Sequence, residues 1–295
     1  VNLTNRLNLP DALVRAIKND SYHRPDIPNY FSCTELLKPA RQRALSIKHK
    51  DEIVEDASDR IWSLLGQAVH SICERANVSD LVEKRFYITI VVDGVTYIVG
   101  SQVDNLGLEN GTLSDFKVTS AYKTSELDPN WEAQLNIQAE SLLQNGEIVN
   151  ALQIIAILRD HSKTKAQKEM NYPQTQVAVM GVNMWGSERV MKFIEDRIRS
   201  HVNAERNLPL CTEAERWATE EKWALMKHGR KRAMALFNDC TAALAAKAEY
   251  GDEYFVERRP GESKRCGQYC PASQFCSQYA AEVNDKKEQL KKENA

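Results

Sequence analysis

The chain has 295 residues, 42% of them hydrophobic and 27% charged, enough for one large domain or two modest ones around a sizeable core. This make-up excludes a collagen-like, low-complexity or mainly disordered chain, and no apolar run approaches the roughly 18–20 residues that a membrane span needs. With 39 basic and 41 acidic side chains the net charge is −2, so nucleic-acid binding would have to use local patches, not a global basic field.

The first thirty residues are polar and hold several prolines, with a short helix expected around Pro10–Lys18. They show no basic stretch followed by an apolar one, so no secretory leader is expected and a cytoplasmic location is. Ser32 reads as a hydroxyl cap ahead of Cys33-Thr34-Glu35-Leu36-Leu37. Periodicity predicts a helix over Asp59–Arg75, with Ile61, Trp62, Leu64, Leu65, Ala68, Val69, Ile72 and Cys73 on a broad apolar face. Strand character follows over residues 84–120. Asp93-Gly94 and Asn110-Gly111 are both hairpin signals, predicting three or four antiparallel strands that end near Thr119. A helix is expected over about Asn130–Gln144, stopped by Asn145-Gly146, then a buried strand over Ala151–Arg159, a basic loop over 161–175 and another strand over Val177–Met184. From Glu188 the chain reads as mostly helical, most clearly over Lys231–Tyr250. A cysteine segment and a charged, fraying tail from Asp285 complete it.

The second hairpin carries candidate chemistry. If Asn110 and Gly111 are the two central residues of a type I′ turn, Asp104 falls opposite Lys117, and Asp115 lies diagonal to Asp104 on the same face. Two carboxylates so placed reach one cation, and Mg²⁺ favours such oxygen ligands. Lys117, two residues from Asp115, shares the face and could stabilise charge on a phosphate. A solvated hairpin face would show the same residue types. The preceding helix adds His70 and Glu74 at i and i+4; an imidazole delivered to the two aspartates would make a mixed N/O site suited to Mn²⁺ or Mg²⁺.

In order and spacing these residues resemble the PD-(D/E)XK nuclease superfamily, in its RecB-like, Cas4-like branch. Gly66, His70 and Glu74 match a helical G-x-x-x-H-x-x-x-E motif, Gly100 to Asp104 a strand ending in the first acid, and Asp115-Phe116-Lys117 the D-x-K motif. Gln134 begins a Q-x-x-x-Y motif in which Gln138 replaces the usual Tyr. The resemblance implies an α/β fold, a central mixed sheet flanked by helices, with a helical C-terminal part closed by a four-cysteine cluster. It implies His70, Asp104, Asp115 and the Phe116 carbonyl as ligands of Mg²⁺ or Mn²⁺, Lys117 as the catalytic lysine, and Glu74, Gln134 and Lys123 as support or DNA contacts. The expected boundaries are an N-terminal segment over 1–58, a nuclease core over 59–185, a helical region over 186–284 and the tail over 285–295.

Seven cysteines are present, an odd and scattered count that argues against a disulfide framework. Cys266, Cys270 and Cys276 crowd into eleven residues, a spacing that reads as metal or cluster ligation. The resemblance implies a [4Fe–4S] cluster with Cys33 as the fourth ligand. Zn²⁺ in the same thiolates is the alternative, and Cys211 is the reserve ligand. Cys73 and Cys240 read as core thiols.

The function implied is metal-dependent hydrolysis of DNA phosphodiester bonds, acting on single strands or ends, in recombination, repair or phage DNA metabolism within a bacterial cell or phage-infected host. No P-loop is present, so unwinding would fall to a partner helicase or recombinase. The alternative is a non-catalytic DNA-binding or recombination scaffold that keeps the fold. Basic stretches at Lys163–Lys168, Lys227–Arg232, Arg258-Arg259 and Lys264-Arg265 are candidate phosphate contacts. Trp131, Tyr172, Trp185, Trp217 and Trp223 are candidate base-stacking platforms.

Overall fold

A computed structural model describes residues 2–19, 24–76 and 80–293. It divides into two compact units: Val1–Lys38 with Val54–Asn207, and Pro39–Ile53 with Leu208–Ala295. The division therefore falls after Asn207, and Pro39–Ile53 goes with the C-terminal residues.

The first unit is α/β. Its mixed sheet comprises β1 (Tyr30–Ser32), β2 (Leu81–Val92), β3 (Val95–Gly107), β4 (Thr112–Thr119), β5 (Ala151–Leu158) and β6 (Val177–Val182). β2 and β3 form the long antiparallel hairpin that Asp93-Gly94 predicts, with Val92 paired to Val95. Both turn residues have positive φ, 49° and 79°, as a type I′ turn requires.

The Asn110-Gly111 expectation fails by two residues. Gly107 pairs with Thr112, Leu106 with Leu113 and Asn105 with Ser114, so the connection is the four residues 108–111. Only Gly111 has positive φ there. The Asn110 side chain instead accepts from the Thr112 N–H at 2.9 Å, and Gly111 N–H donates to the Gly107 carbonyl at 2.8 Å. A slip of two keeps every side chain on its face, so Asp104 and Asp115 still share one.

Helix α1 (Ile61–Ala76) precedes β2, α2 (Pro129–Gln144) joins β4 to its parallel neighbour β5, and α3 (Ser187–Arg206) follows β6. Asp128 caps α2 through the Asn130 N–H, with Pro129 at the first turn. α2 is buried almost all round. Leu135, Ala139 and Leu142 pack with Val103, Leu113 and Ile154, while Ile137 packs with Phe31, Ile88, Ile194 and Ile198. α1 differs from its predicted role: it has no buried residue, and Trp62, Leu65 and Ile72 are exposed.

The second unit is less helical than predicted. β7 (Lys222–Lys227) is the central strand of a three-stranded antiparallel sheet with β8 (Ala235–Phe237) and β9 (Tyr254–Arg259). The helix expected from Lys231 begins only at Asp239, which caps α4 (Cys240–Tyr250), because β8 takes up the residues before it. α5 (Ser277–Glu293) runs through the predicted tail, whose last two residues lie outside those described.

Candidate metal and phosphate site

β3 has one edge shared by two strands: β1 pairs with Ile98–Gly100 in parallel, and β4 pairs with Asn105–Gly107 antiparallel. Residues 101–104 lie between these ladders, and a cleft of about 300 Å³ opens there, lined by His70, Glu83, Asp104, Asp115, Lys117 and Gln134 among others. Gly100 is required by its neighbour, because a Cβ at that position would collide with the Tyr30 ring.

The cleft is a chain of directed contacts. The Phe116 N–H, free of the β3 ladder, donates to Asp104 Oδ2 at 2.8 Å. His70, from α1, sets Nε2 3.1 Å from the Phe116 carbonyl and Nδ1 3.4 Å from Asp104 Oδ1 and 3.5 Å from Glu83 Oε1. Lys117 Nζ pairs with Asp115 Oδ2 at 2.5 Å and donates to Gln134 Oε1 at 3.1 Å. Gln134 Nε2 donates to Asp115 Oδ1 at 2.7 Å, so one amide on α2 holds both charged partners.

The electrostatics are those of a site that gathers positive charge. Hydrogen bonds donated by His70 to Asp104 and Glu83 push its imidazole up to about 10. Burial pushes Asp115 up to about 6, against the opposing pull of Lys117. The Asp115 side chain is 1% exposed and that of Lys117 21%, so the lysine faces the cleft while the carboxylate is its floor.

The residues fit a hard divalent cation. Ligand atoms of His70, Glu83 and Asp104 lie within 4.8 Å of one another. Asp115 Oδ2 is buried and lacks a well-directed hydrogen bond beyond its ion pair, and Phe116 adds a carbonyl. One imidazole among carboxylate and carbonyl oxygens is a donor set for Mg²⁺ or Mn²⁺.

Of the residues singled out in the sequence, the structure brings together His70, Asp104, Asp115, Phe116, Lys117 and Gln134. Glu74 is exposed one turn along α1, and the second carboxylate beside His70 is Glu83. Sequence reasoning misses Glu83, although the Asp93-Gly94 turn sets it opposite Asp104 when the β2–β3 pairing is counted back. Its φ of 49° breaks the strand pattern at that point. Gln102 Nε2 donates to Glu83 Oε2 at 2.5 Å and Gln102 Oε1 accepts from Arg85 at 3.0 Å. Lys123 is drawn to Asp128 at 3.2 Å, bracing the cap of α2. Gln138 donates to the Gln102 carbonyl at 2.8 Å, and its Oε1 is buried without a partner.

Cys33, expected as the fourth cluster ligand, belongs to the first unit. It is buried in the first unit with Phe31 and Leu36, and its thiol lies 3.7 Å from the Gln134 carbonyl. Burial and then the charge of Asp115 push that thiol up to about 12. Cys266, Cys270 and Cys276 belong to the second unit, as does Cys211. The candidate stacking residue Trp185 is engaged: its indole N–H donates to Glu132 at 2.8 Å and Arg189 covers its ring at 4.0 Å.

Among the described residues, no helix is long and apolar enough to cross a membrane. No family model and no curated protein matches the chain. A solved structure described as the crystal structure of SSO0001 superposes with a TM-score of 0.47 at 16% identity, covering 63% of this chain and 83% of that one; a likeness of that size identifies neither a family nor a function.

Proposed function

We propose that the chain is a metal-dependent deoxyribonuclease with a PD-(D/E)XK-type core. The observation that carries the reading is a single cleft lined by His70, Asp104, Asp115 and Lys117, in which His70 lies against Asp104 and the Phe116 carbonyl and Lys117 is held beside Asp115 by Gln134. His70, Asp104, Asp115 and the Phe116 carbonyl would hold Mg²⁺ or Mn²⁺, with Glu83 beside Asp104 at His70 Nδ1. The ion, when bound, supplies Lewis-acid polarisation of a phosphate oxygen and acidifies a coordinated water.

The chain's own part is positioning and charge. Lys117 presents its ammonium at the cleft mouth, where it can donate to a non-bridging phosphate oxygen and offset the charge that builds as water attacks phosphorus and the P–O bond breaks. Gln134 accepts from Lys117 and donates to Asp115, so neither can turn away without breaking a hydrogen bond. The Phe116 N–H occupies Asp104 Oδ2 and leaves Oδ1 directed toward His70. The preferred substrate in this reading is DNA with a free end or a single strand; sequence-specific duplex cutting would call for a base-reading helix or ribbon in a groove, and none is seen among the described residues.

The test incubates the protein with an end-labelled linear single strand, a blunt duplex and a closed duplex circle, with Mg²⁺ or Mn²⁺, with and without EDTA. Cation-dependent cleavage of the linear substrates, lost in Lys117→Met, is expected. Cutting of closed circles at a defined sequence would refute the end preference. Salt-sensitive DNA binding with no cleavage under any cation would favour the scaffold reading.

A further inference from the structure

We infer that Cys211 completes a four-thiolate site with Cys266, Cys270 and Cys276, so that the second unit alone holds an iron–sulfur cluster and Cys33 takes no part. The inference stands apart from the nuclease reading, since it concerns neither the cleft nor its residues.

The placement of Cys211 is built, not incidental. Its N–H donates to Gln278 Oε1 at 2.8 Å, and Gln278 Nε2 donates back to its carbonyl at 2.9 Å. This two-bond clamp fixes its backbone to the first turn of α5, two residues past Cys276. Arg41, 4% exposed, makes a second tie. Its guanidinium donates to the Pro209 carbonyl at 3.0 Å, to Cys276 Sγ at 3.2 Å and to Ser277 Oγ at 2.9 Å. The same guanidinium lies within electrostatic reach of Cys211, so one buried cation touches the surroundings of both cysteines.

The four sulfurs act on one another. Burial pushes Cys211 up to about 12, and Glu215, then Cys266 and Cys276, push the same way. Cys270 is raised by burial and by Cys266 and Cys276. These mutual influences put the thiols in one neighbourhood, where a single bound group could take them as thiolates. Leu45, Ile53 and Ala272 pack with Cys270 and Cys276, and His49 stacks on Phe275 at 4.0 Å, giving the dry wall that protects a cluster. Spacing separates the two candidates. Tetrahedral zinc, with Zn–S about 2.3 Å, draws its sulfurs to about 3.8 Å of each other. Among the described residues no three of these sulfurs lie within 4.8 Å of one another, so they do not stand at that tetrahedral spacing.

The full chain, purified without oxygen, is assayed for iron, acid-labile sulfide and zinc, together with Cys211→Ser, Cys270→Ser and Cys33→Ser. Cys211→Ser and Cys270→Ser are expected to lose the iron alike, and Cys33→Ser to keep the wild-type amount. Alkylation of the unmutated protein, read cysteine by cysteine by mass spectrometry, serves if a variant fails to fold. Cys211 should react at least tenfold more slowly with iron bound than after its removal, while Cys240 reacts alike in both. Iron lost from Cys33→Ser but kept by Cys211→Ser, equal labelling of Cys211 in both forms, or stoichiometric zinc in place of iron would each overturn the inference.

Discussion

In the first unit, the cleft residues come from one helix, three neighbouring strands and the helix that follows them, and hydrogen-bonded ladders fix where each carboxylate lies. In the second, Cys211 stands in a segment without regular structure, far in sequence from Cys266, and what places it is a pair of side chains, Gln278 and Arg41. The first arrangement is enforced by backbone pairing and tolerates changes in surrounding side chains. The second depends on individual polar contacts, so single substitutions away from the cysteines should disturb it.

The largest expected effects test the cleft. Asp104→Asn, Asp115→Asn and Lys117→Met should each lower the cleavage rate by about 10²–10³-fold or more, the scale of losing one preorganised electrostatic partner. Circular dichroism should stay close to wild type, and a variant with near-full activity would remove that residue from the site. Next comes Gln134→Leu, a positioning residue. It should lower kcat by about tenfold or more with little change in KM, as outer partners of metal sites do; a rise in KM alone would assign Gln134 to substrate binding. Glu83→Gln should raise the Mn²⁺ concentration for half-maximal activity by about tenfold, and an unchanged cation titration would make Glu83 a neighbour of the site only.

Smaller effects separate ladder from side chain. Gly100→Ala forces a methyl into the Tyr30 ring and should cost about 1–3 kcal/mol by denaturant unfolding; no loss would mean that β1 can shift. The smallest concerns Asp56, which accepts from the Arg6 N–H at 2.8 Å, Thr4 Oγ1 at 2.8 Å and Ser58 Oγ at 2.7 Å. These bonds, the Arg6 amide first, hold its carboxyl well below the usual carboxylate range. A depressed folded-state value stabilises fully above the unfolded carboxylate range, and the gain is lost as pH falls below it. Amide-exchange protection around Thr4 and Arg6 should therefore fall on acidification, and Asp56→Asn should remove that pH dependence.

The two regions also differ in how far the sequence discloses them. His70, Asp104, Asp115 and Lys117 are legible because strand alternation and the helix repeat by themselves assign each residue to a face, and the Asp93-Gly94 turn sets its register correctly. Asn110-Gly111 misleads because Asn110 spends its side chain on the Thr112 N–H instead of entering the left-handed region a type I′ turn demands. The exposure of α1 is invisible in its apolar pattern, since periodicity records which side is apolar and not whether anything covers it. β8 hides in an Ala-rich stretch that favours helix locally, where pairing with β7 overrides propensity. Cys211 has no local signature at all: its link to Gln278 spans segments that no spacing rule connects.

The four-residue connection between β3 and β4 has a further consequence, for the fidelity of folding. Pairing errors between these strands fall into two classes by parity. An even error, such as the one that a two-residue turn at Asn110-Gly111 would produce, keeps both carboxylates on the cleft side and changes only their separation. An odd error turns Asp115 and Lys117 through the sheet and brings the Phe116 ring into the cleft. The extended ladder of β4 with β5, Thr112–Ala151 to Thr119–Leu158, acts as a proofreader. It commits the facing of β4 along its whole length, against three pairs with β3, so the phase of the acidic residues is inherited from the neighbour that carries none of them.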